Sequence, residues 1–462
     1  MQQVNTPTLA ESARRCFAGT VLARPWFDHA VLAGLRSLFF PSSRLWAAAR
    51  TAGGDVQRFY DAVPLTPRLE QRDRLQRTLA RFEQRRAASN AIEAEWQAVF
   101  FGASAQSRAE PEAYRAAVEA ARRDLSHAYN ASRRDFGFLI GRHVPRVRLT
   151  VETPEAVDAL YGRATQDLAP FVAPPATLPE IEVSQSLRSA GGRDFWLRFA
   201  SPSARLGDTV YARVHEPDGV TDPPTVIFGH GICVEFDHWN GLIDESTALV
   251  GLGYRVIRPE APWHGRRLAP GRFGGEAVIG TFPTGTLDAF TGALQEWAVL
   301  AHWARATSRG PLVFAGSSMG AMTSQLAADR ARDWPAAMRP DAMLLITHTG
   351  DLSDAVINGA LSTLWARPAE VKARGWTEDM ARVYFSLMNP VRPPVMAPDR
   401  IVSVLGRRDV ILPFAGGQRL VERWGLPAEN VFIWDRGHFS VPLTMIRNDG
   451  PLQRLRQIVA AL

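Results

Sequence analysis

The first chemistry in this sequence lies at a serine set between two glycines. Gly316-Ser317-Ser318-Met319-Gly320 follows the apolar run Leu312-Val313-Phe314-Ala315 and precedes Ala321 to Asp329, which is rich in helix formers. The pattern reads as strand, sharp turn, helix. Such a turn strains its central residue, and only small side chains fit two positions to either side. It lifts the Ser318 hydroxyl clear of the backbone at a helix N-terminus, where peptide dipoles favour negative charge. A serine nucleophile also needs a base, a group that orients the base, and donors for an oxyanion. Asp409 in Gly406-Arg407-Arg408-Asp409 and His438 in Asp435-Arg436-Gly437-His438 each follow a short apolar run. Serine, acid, histidine is the chain order this arrangement requires, with His438 as base and Asp409 fixing its tautomer. The turn Phe228-Gly229-His230-Gly231-Ile232 would aim the Ile232 N–H at the same point as the Met319 N–H. Together these would form the oxyanion hole.

Other residues compete for parts of this site. His230 precedes the serine and sits in the oxyanion turn, so it is read as shaping the turn or touching substrate rather than as the base. Asp351 and Asp354 follow another apolar run and are rival acids; Asp435 lies too near His438 along one loop to orient its ring easily. Glu260 and His264, in Arg258-Pro259-Glu260-Ala261-Pro262-Trp263-His264-Gly265, either contact substrate or brace their loop. Trp239 and Trp263 are candidates for lining an apolar pocket. His230, His238, His264 and Asp237 lack a metal-site spacing, so no catalytic metal is expected. No phosphate-cradling G-x-x-x-x-G-K-[ST] occurs either. No cofactor is expected.

Position must come from a sheet. Short apolar runs at 225–231, 254–262, 311–316, 341–350, 400–406 and 430–438 alternate with helical segments. Continuous Val/Ile/Leu/Phe runs of this kind predict parallel strands covered on both faces, with sites at their carboxyl ends. Residues 194–202 and 208–217 alternate like an antiparallel pair. The stretch from 351 to 399 exceeds a simple crossover and predicts helices at 352–365, 367–374 and 377–388, read as a cap over the strand ends.

The first ~145 residues read as helical by their apolar spacing, including a stripe at Val31, Leu32, Leu35, Leu38 and Phe39 that Pro41 should end. At 462 residues the chain is longer than one core usually holds. The expected division is a mostly helical domain at 1–190 and a catalytic domain at 191–462. Residues 1–150 carry 23 Arg against 14 Asp plus Glu, a net +9, which leaves −3 for the rest of a +6 chain. The acids are interspersed with these arginines, so solvated helix faces are preferred over a nucleic-acid surface. Peripheral membrane contact is a lesser reading, as is a homo-oligomer formed through these helices. Two distant cysteines, Cys16 and Cys233, argue against a disulfide framework. With no long apolar span or secretory leader in the sequence, a cytoplasmic location is expected.

Taken together, the His230-Gly231 turn, GSSMG, Gly406 to Pro413 and Asp435 to His438 make residues 190 to 462 resemble the α/β-hydrolase superfamily, its serine esterase/lipase-like branch. Ala261 to Arg267 and Leu294 to Arg305 are similar to a little-characterised esterase-like group, in which P-x-x-G-x-[RK] follows the fourth strand of the fold. The resemblance implies a mostly parallel sheet with helices on both faces, a helical cap insertion and an additional N-terminal helical domain. It implies Ser318, Asp409 and His438 as catalytic triad, Ile232 and Met319 as oxyanion donors, and a small-molecule ester or acyl substrate. Thioester cleavage, lipid deacylation, carbon–carbon bond hydrolysis, or a non-catalytic binding protein on the same fold are the alternatives.

Overall fold

A computed structural model describes residues 21–66, 68–102, 110–141, 143–234, 245–360 and 368–462. Its strands are β1 (Thr150–Val151), β2 (Glu182–Val183), β3 (Leu187–Ser189), β4 (Gly192–Ala200), β5 (Thr209–Pro217), β6 (Thr225–Gly229), β7 (Arg255–Pro259), β8 (Thr281–Phe282), β9 (Leu312–Ser317), β10 (Ala342–Ile346), β11 (Ile401–Gly406) and β12 (Val431–Trp434). The main sheet runs β12-β11-β10-β9-β6-β7-β5-β4-β2, with β3 also on β4. The six strands from β12 to β7 are mutually parallel, while β5, β4 and the short strands at that edge are antiparallel. This largely parallel sheet, with helices on both faces, has the α/β-hydrolase architecture expected from the resemblance.

Burial explains the composition of the strands. Every residue of β6, β10 and β11 is buried, as uniform apolar runs require when both faces are covered. In β5 the buried residues Val210, Ala212 and Val214 alternate with less buried ones. They share a core with Leu287, Leu294 and Trp297 of the 24-residue helix Thr284–Thr307. On the opposite face Val226, Val313, Leu344 and Val404 pack with Leu455 and Val459 of the helix Gly450–Ala460.

The N-terminal third is helical where it is described, up to about residue 140, and packs Trp46, Phe59, Leu79, Phe82 and Phe136 into a core that also takes in Phe273. Two details differ from the sequence reading. Pro41 does not end a helix: a π-turn, Leu35–Phe39, widens the backbone just before it, and Pro41 falls in the first turn of Phe40–Ala52. There its missing N–H and its ring are tolerated. Residues before 190 also supply strands: β1 pairs with β8, while β2 and β3 extend the main sheet. They are two or three residues long, too short to leave a period in the sequence. The helices Leu352–Asn358, Pro368–Ala373 and Glu378–Ser386 lie in the segment read as a cap; residues 361–367 fall outside the described residues. Among the described residues no helix is long and apolar enough to cross a membrane.

A buried ion pair ties the helical third to the sheet-bearing part. Arg44 Nη1 lies 2.9 and 2.8 Å from the two carboxylate oxygens of Glu276, and both side chains are almost fully buried. The same carboxylate accepts the Arg148 and Phe273 N–H groups, and Arg44 Nη2 donates to the Gly271 carbonyl. Breaking such a pair leaves an uncompensated buried charge and costs about 3–5 kcal/mol. Arg44→Met should therefore lower the unfolding free energy by about 3 kcal/mol or more in urea titration; a loss below about 1 kcal/mol would show that the pair contributes no more than a surface contact.

Candidate active site

The elbow forms because three glycines allow backbones to touch. Register places Gly229 of β6 beside Gly316 of β9, and Gly320, in the first turn of the next helix, lies against both. A Cβ on Gly320 would lie 2.0 Å from the Gly229 carbonyl oxygen, and one on Gly316 would lie 2.3 Å from the Gly320 carbonyl carbon. Nothing larger than hydrogen fits at either position. Ser318 is thereby held at φ 56° and ψ −119°, a conformation that costs a non-glycine residue on the order of 1–3 kcal/mol. Its N–H donates to the Ile346 carbonyl at 2.9 Å, and its own carbonyl accepts the Met322 N–H at 3.0 Å, which starts the helix Met319–Arg330.

Ser318, His438 and Asp409 meet at the carboxyl ends of β9, β12 and β11. His438 Nε2 is 2.9 Å from Ser318 Oγ, and His438 Nδ1 is 2.7 Å from Asp409 Oδ2. Asp409 and His438 are buried, whereas Ser318 is half-buried. The other Asp409 oxygen, Oδ1, accepts the Ile411 and Leu412 N–H groups, both at 2.9 Å. These bonds fix the plane of the carboxylate, and Oδ2 facing the ring makes Nδ1 the proton-bearing nitrogen. Nε2 is then left to accept the serine proton. The acid and histidine loops are also clamped to each other: Arg407 and Arg408 N–H donate to the Trp434 and Arg436 carbonyls, each at 2.9 Å. Asp435 pairs with Arg408 on the surface. Of the rival acids, Asp351 caps the helix Leu352–Asn358 through the Asp354 N–H, and Asp354 bonds Asn358.

The turn after β6, read from the sequence as the source of oxyanion donors, packs directly on the serine, since a Cβ on Gly231 would lie 3.5 Å from Ser318 Cβ. Among the described residues, neither the Ile232 nor the Met319 N–H has a hydrogen-bond acceptor, whereas the Cys233 N–H donates to His264 Nε2 at 3.0 Å. Cys233 itself is in left-handed backbone, φ 60°. His264 and His230 both act as braces. His264 Nδ1 bonds the Pro262 carbonyl at 2.9 Å; His230 Nδ1 bonds the Gly231 carbonyl at 2.7 Å, and its Nε2 accepts the Ala261 N–H at 3.1 Å. The two rings pack edge to face with centroids 4.9 Å apart. Of the remaining sequence candidates, Trp263 is half-buried at φ 61°, its carbonyl accepting the Gly275 N–H. Trp239, His238 and Asp237 lie outside the described residues.

Sequence reading missed what holds this second loop. Arg267 is buried and bonds both oxygens of Asp208, both oxygens of Glu296, and the Glu260 carbonyl. Burial opposes its charge, but the Glu296 carboxylate, helped by Asp208, more than offsets this and holds the guanidinium pKa above its ordinary value. Glu260 in turn bonds the Arg266 N–H and side chain. The acids lie 59 and 29 residues from Arg267, with no motif to connect them.

A cavity of about 1050 Å³ lies beside the site, between the N-terminal helices and residues of β5 and β7. Polar groups such as Arg50, Asn90, Tyr211 and Arg258 line it. Ser318, Asp409 and His438 do not. Among the described residues it meets the turn after β6 at His230 and Val234, and it also touches the bracing His264. Among the described residues no cluster of side chains has the makeup of a metal site.

No protein-family model and no curated protein sequence matches the chain. Solved structures similar to it include an acetyl xylan esterase from Paenibacillus sp. R4 (12% identity, 67% of this chain and 96% of that one, TM-score 0.43). Another is acetyl xylan esterase 1 from Thermoanaerobacterium sp. JW/SL YS485 (16% identity, 68% and 96%, TM-score 0.42). A third is a cold-adapted esterase from an Arctic intertidal metagenomic library (17% identity, 59% and 97%, TM-score 0.39). At these scores the likeness adds nothing to what the strand order and the elbow geometry already establish.

Gly320→Ala tests the elbow itself. The added methyl must displace the Gly229 backbone, at a cost of about 1–3 kcal/mol or more. The variant is expected to melt several degrees lower, or to fail to accumulate as soluble protein; an unchanged melting temperature would mean that the backbones are not in contact.

Proposed function

We propose that this chain is a serine hydrolase that cleaves carboxylic esters by acyl transfer. The observation that carries this reading is the hydrogen-bonded run from Ser318 Oγ through the His438 ring to Asp409, at 2.9 and 2.7 Å, seated on a left-handed elbow. In the proposed reaction Ser318 Oγ attacks the ester carbonyl carbon as His438 Nε2 takes its proton. The carbonyl oxygen becomes an oxyanion held by the Met319 and Ile232 N–H groups. Removing one such donor typically costs about 3 kcal/mol of barrier. His438 then returns the proton to the leaving alkoxide, and the C–O bond breaks to leave an acyl-enzyme. Water activated by the same nitrogen releases the acid and restores Ser318. Asp409 stabilises the imidazolium in both halves of the cycle and stays ionised throughout.

Two features support a restricted substrate. The helices within 351–399 are proposed to form a cap governing access, and the polar cavity beside the oxyanion turn favours a substrate with a polar portion. Thioesters and lipid esters call on the same residues, so a first screen pairs short-chain, long-chain and thioester substrates.

Intact-mass detection of fluorophosphonate labelling tests the proposal. The native chain should gain one adduct and Ser318→Ala none, while ester hydrolysis by that variant should fall by about 10⁴-fold or more. A folded native protein that takes up no label would refute the catalytic reading and favour a binding protein built on the same fold.

A further inference from the structure

The N-terminal helix Pro25–Gly34 contacts the histidine loop. Asp28 is only 6% exposed, although it is a carboxylate near the start of a helix. Its Oδ1 accepts the Phe439 N–H at 2.6 Å and the Ser440 N–H at 3.2 Å, and its Oδ2 accepts the Ser440 hydroxyl at 2.5 Å. Ser440 Oγ in turn accepts the Gly437 N–H at 3.0 Å. The residues on both sides of His438 are therefore tied, directly or through one hydroxyl, to a single side chain 411 residues away along the chain. Gly437 is required by this contact: a Cβ there would lie 2.4 Å from Asp28 Cγ.

Burying a carboxylate is costly unless its oxygens are fully bonded. Among the described residues Asp28 has no cationic partner, so the loop's own donors satisfy it. Two of these are backbone N–H groups at the start of the helix Ser440–Met445, which would otherwise lack acceptors. The carboxylate thus caps that helix from outside its own chain segment. Leu22, Ala23 and Phe27 pack with Leu443 at the same interface.

We infer that Asp28 is a positioning residue for His438, and that the N-terminal helix is in this sense part of the active site. The inference rests on the proposed hydrolase reading for its kinetic consequence. Asp28 reaches the chemistry only through the backbone at 437–440, and it fixes the distance and angle from Nε2 to Ser318. Displacing a catalytic group by about 1 Å can cost about 10²-fold in rate.

The test uses the full-length chain with Asp28→Ala, Asp28→Asn and Leu443→Ala, all assayed well below their measured melting temperatures. Leu443→Ala removes packing from the same interface and leaves the carboxylate in place. Asp28→Ala should lower kcat on a p-nitrophenyl ester by about 10²-fold with KM little changed, and Asp28→Asn should retain a measurable part of the loss-free rate. Leu443→Ala should lower the melting temperature yet keep kcat within about threefold of native, a change below 1 kcal/mol. Equal kcat in Asp28→Ala and native protein would overturn the inference, as would a loss of kcat in Leu443→Ala as large as that in Asp28→Ala. Ring-¹⁵N NMR of labelled histidine, with His438→Gln to assign the signal, reads the same position without any substrate. The His438 ring signals should shift or broaden in Asp28→Ala; unchanged signals would refute the positioning role even if the native protein proved to hydrolyse nothing. Failure of native labelling with fluorophosphonate would instead sink the hydrolase reading alone.

Discussion

Everything at this site depends on a contact between two stretches of backbone. Gly320 presses on Gly229 closely enough to exclude a methyl group, and Gly316 lies against the same turn. Because β6 and β9 are neighbours in the sheet, this contact sets the turn after β6, the proposed source of oxyanion donors, against the serine elbow. Ser318 is held in its strained backbone between a hydrogen bond to Ile346 and the first turn of the following helix. Strain of this kind persists only where its surroundings over-determine it. Here the whole parallel sheet provides that determination.

Around this point the loops are held by buried polar side chains. The histidine loop rests on Asp28, the acid loop folds around its own Asp409, and the turn after β6 is tied to the loop after β7 through the Cys233 N–H to His264 and the Ala261 N–H to His230. His264 belongs to a loop fixed by Arg267, which is surrounded by Asp208 and Glu296. A further buried pair, Arg44 with Glu276, joins the N-terminal helices to the segment after that loop. Loops carry backbone groups that no ladder satisfies, and charged hydrogen bonds supply the missing partners with more directional control than apolar packing gives. The helical third of the chain is thus tied both to the histidine loop, through Asp28, and to the loop bearing Arg266 and its neighbours, through Glu93, Arg50 and Arg44.

How much of this was legible in the sequence follows from the range of each signal. The strands β6, β9, β10 and β11 were readable because burial on both faces leaves continuous apolar runs. The elbow was readable because Gly316, Ser318 and Gly320 must lie within five residues. Asp409 and His438 were legible as residues one turn beyond a strand in the required order. Asp28, Arg44 and the Arg267 cluster were not. Their partners lie tens to hundreds of residues away, and an aspartate or arginine on an amphipathic helix looks the same whether it faces water or a buried N–H. The strands of two or three residues at 150–151, 182–183 and 187–189 were too short to show a period, and Pro41 misled because the π-turn that accommodates it has no composition of its own.

The most direct measurement of the central claim is to trap the covalent intermediate. The native protein would be mixed with a p-nitrophenyl ester, quenched in acid within the first turnover, and digested for peptide mass mapping. The account predicts a burst of p-nitrophenol close to one equivalent per active site and an acyl group on Ser318. An acyl group on another residue, or turnover with no covalent intermediate on a folded protein, would contradict it.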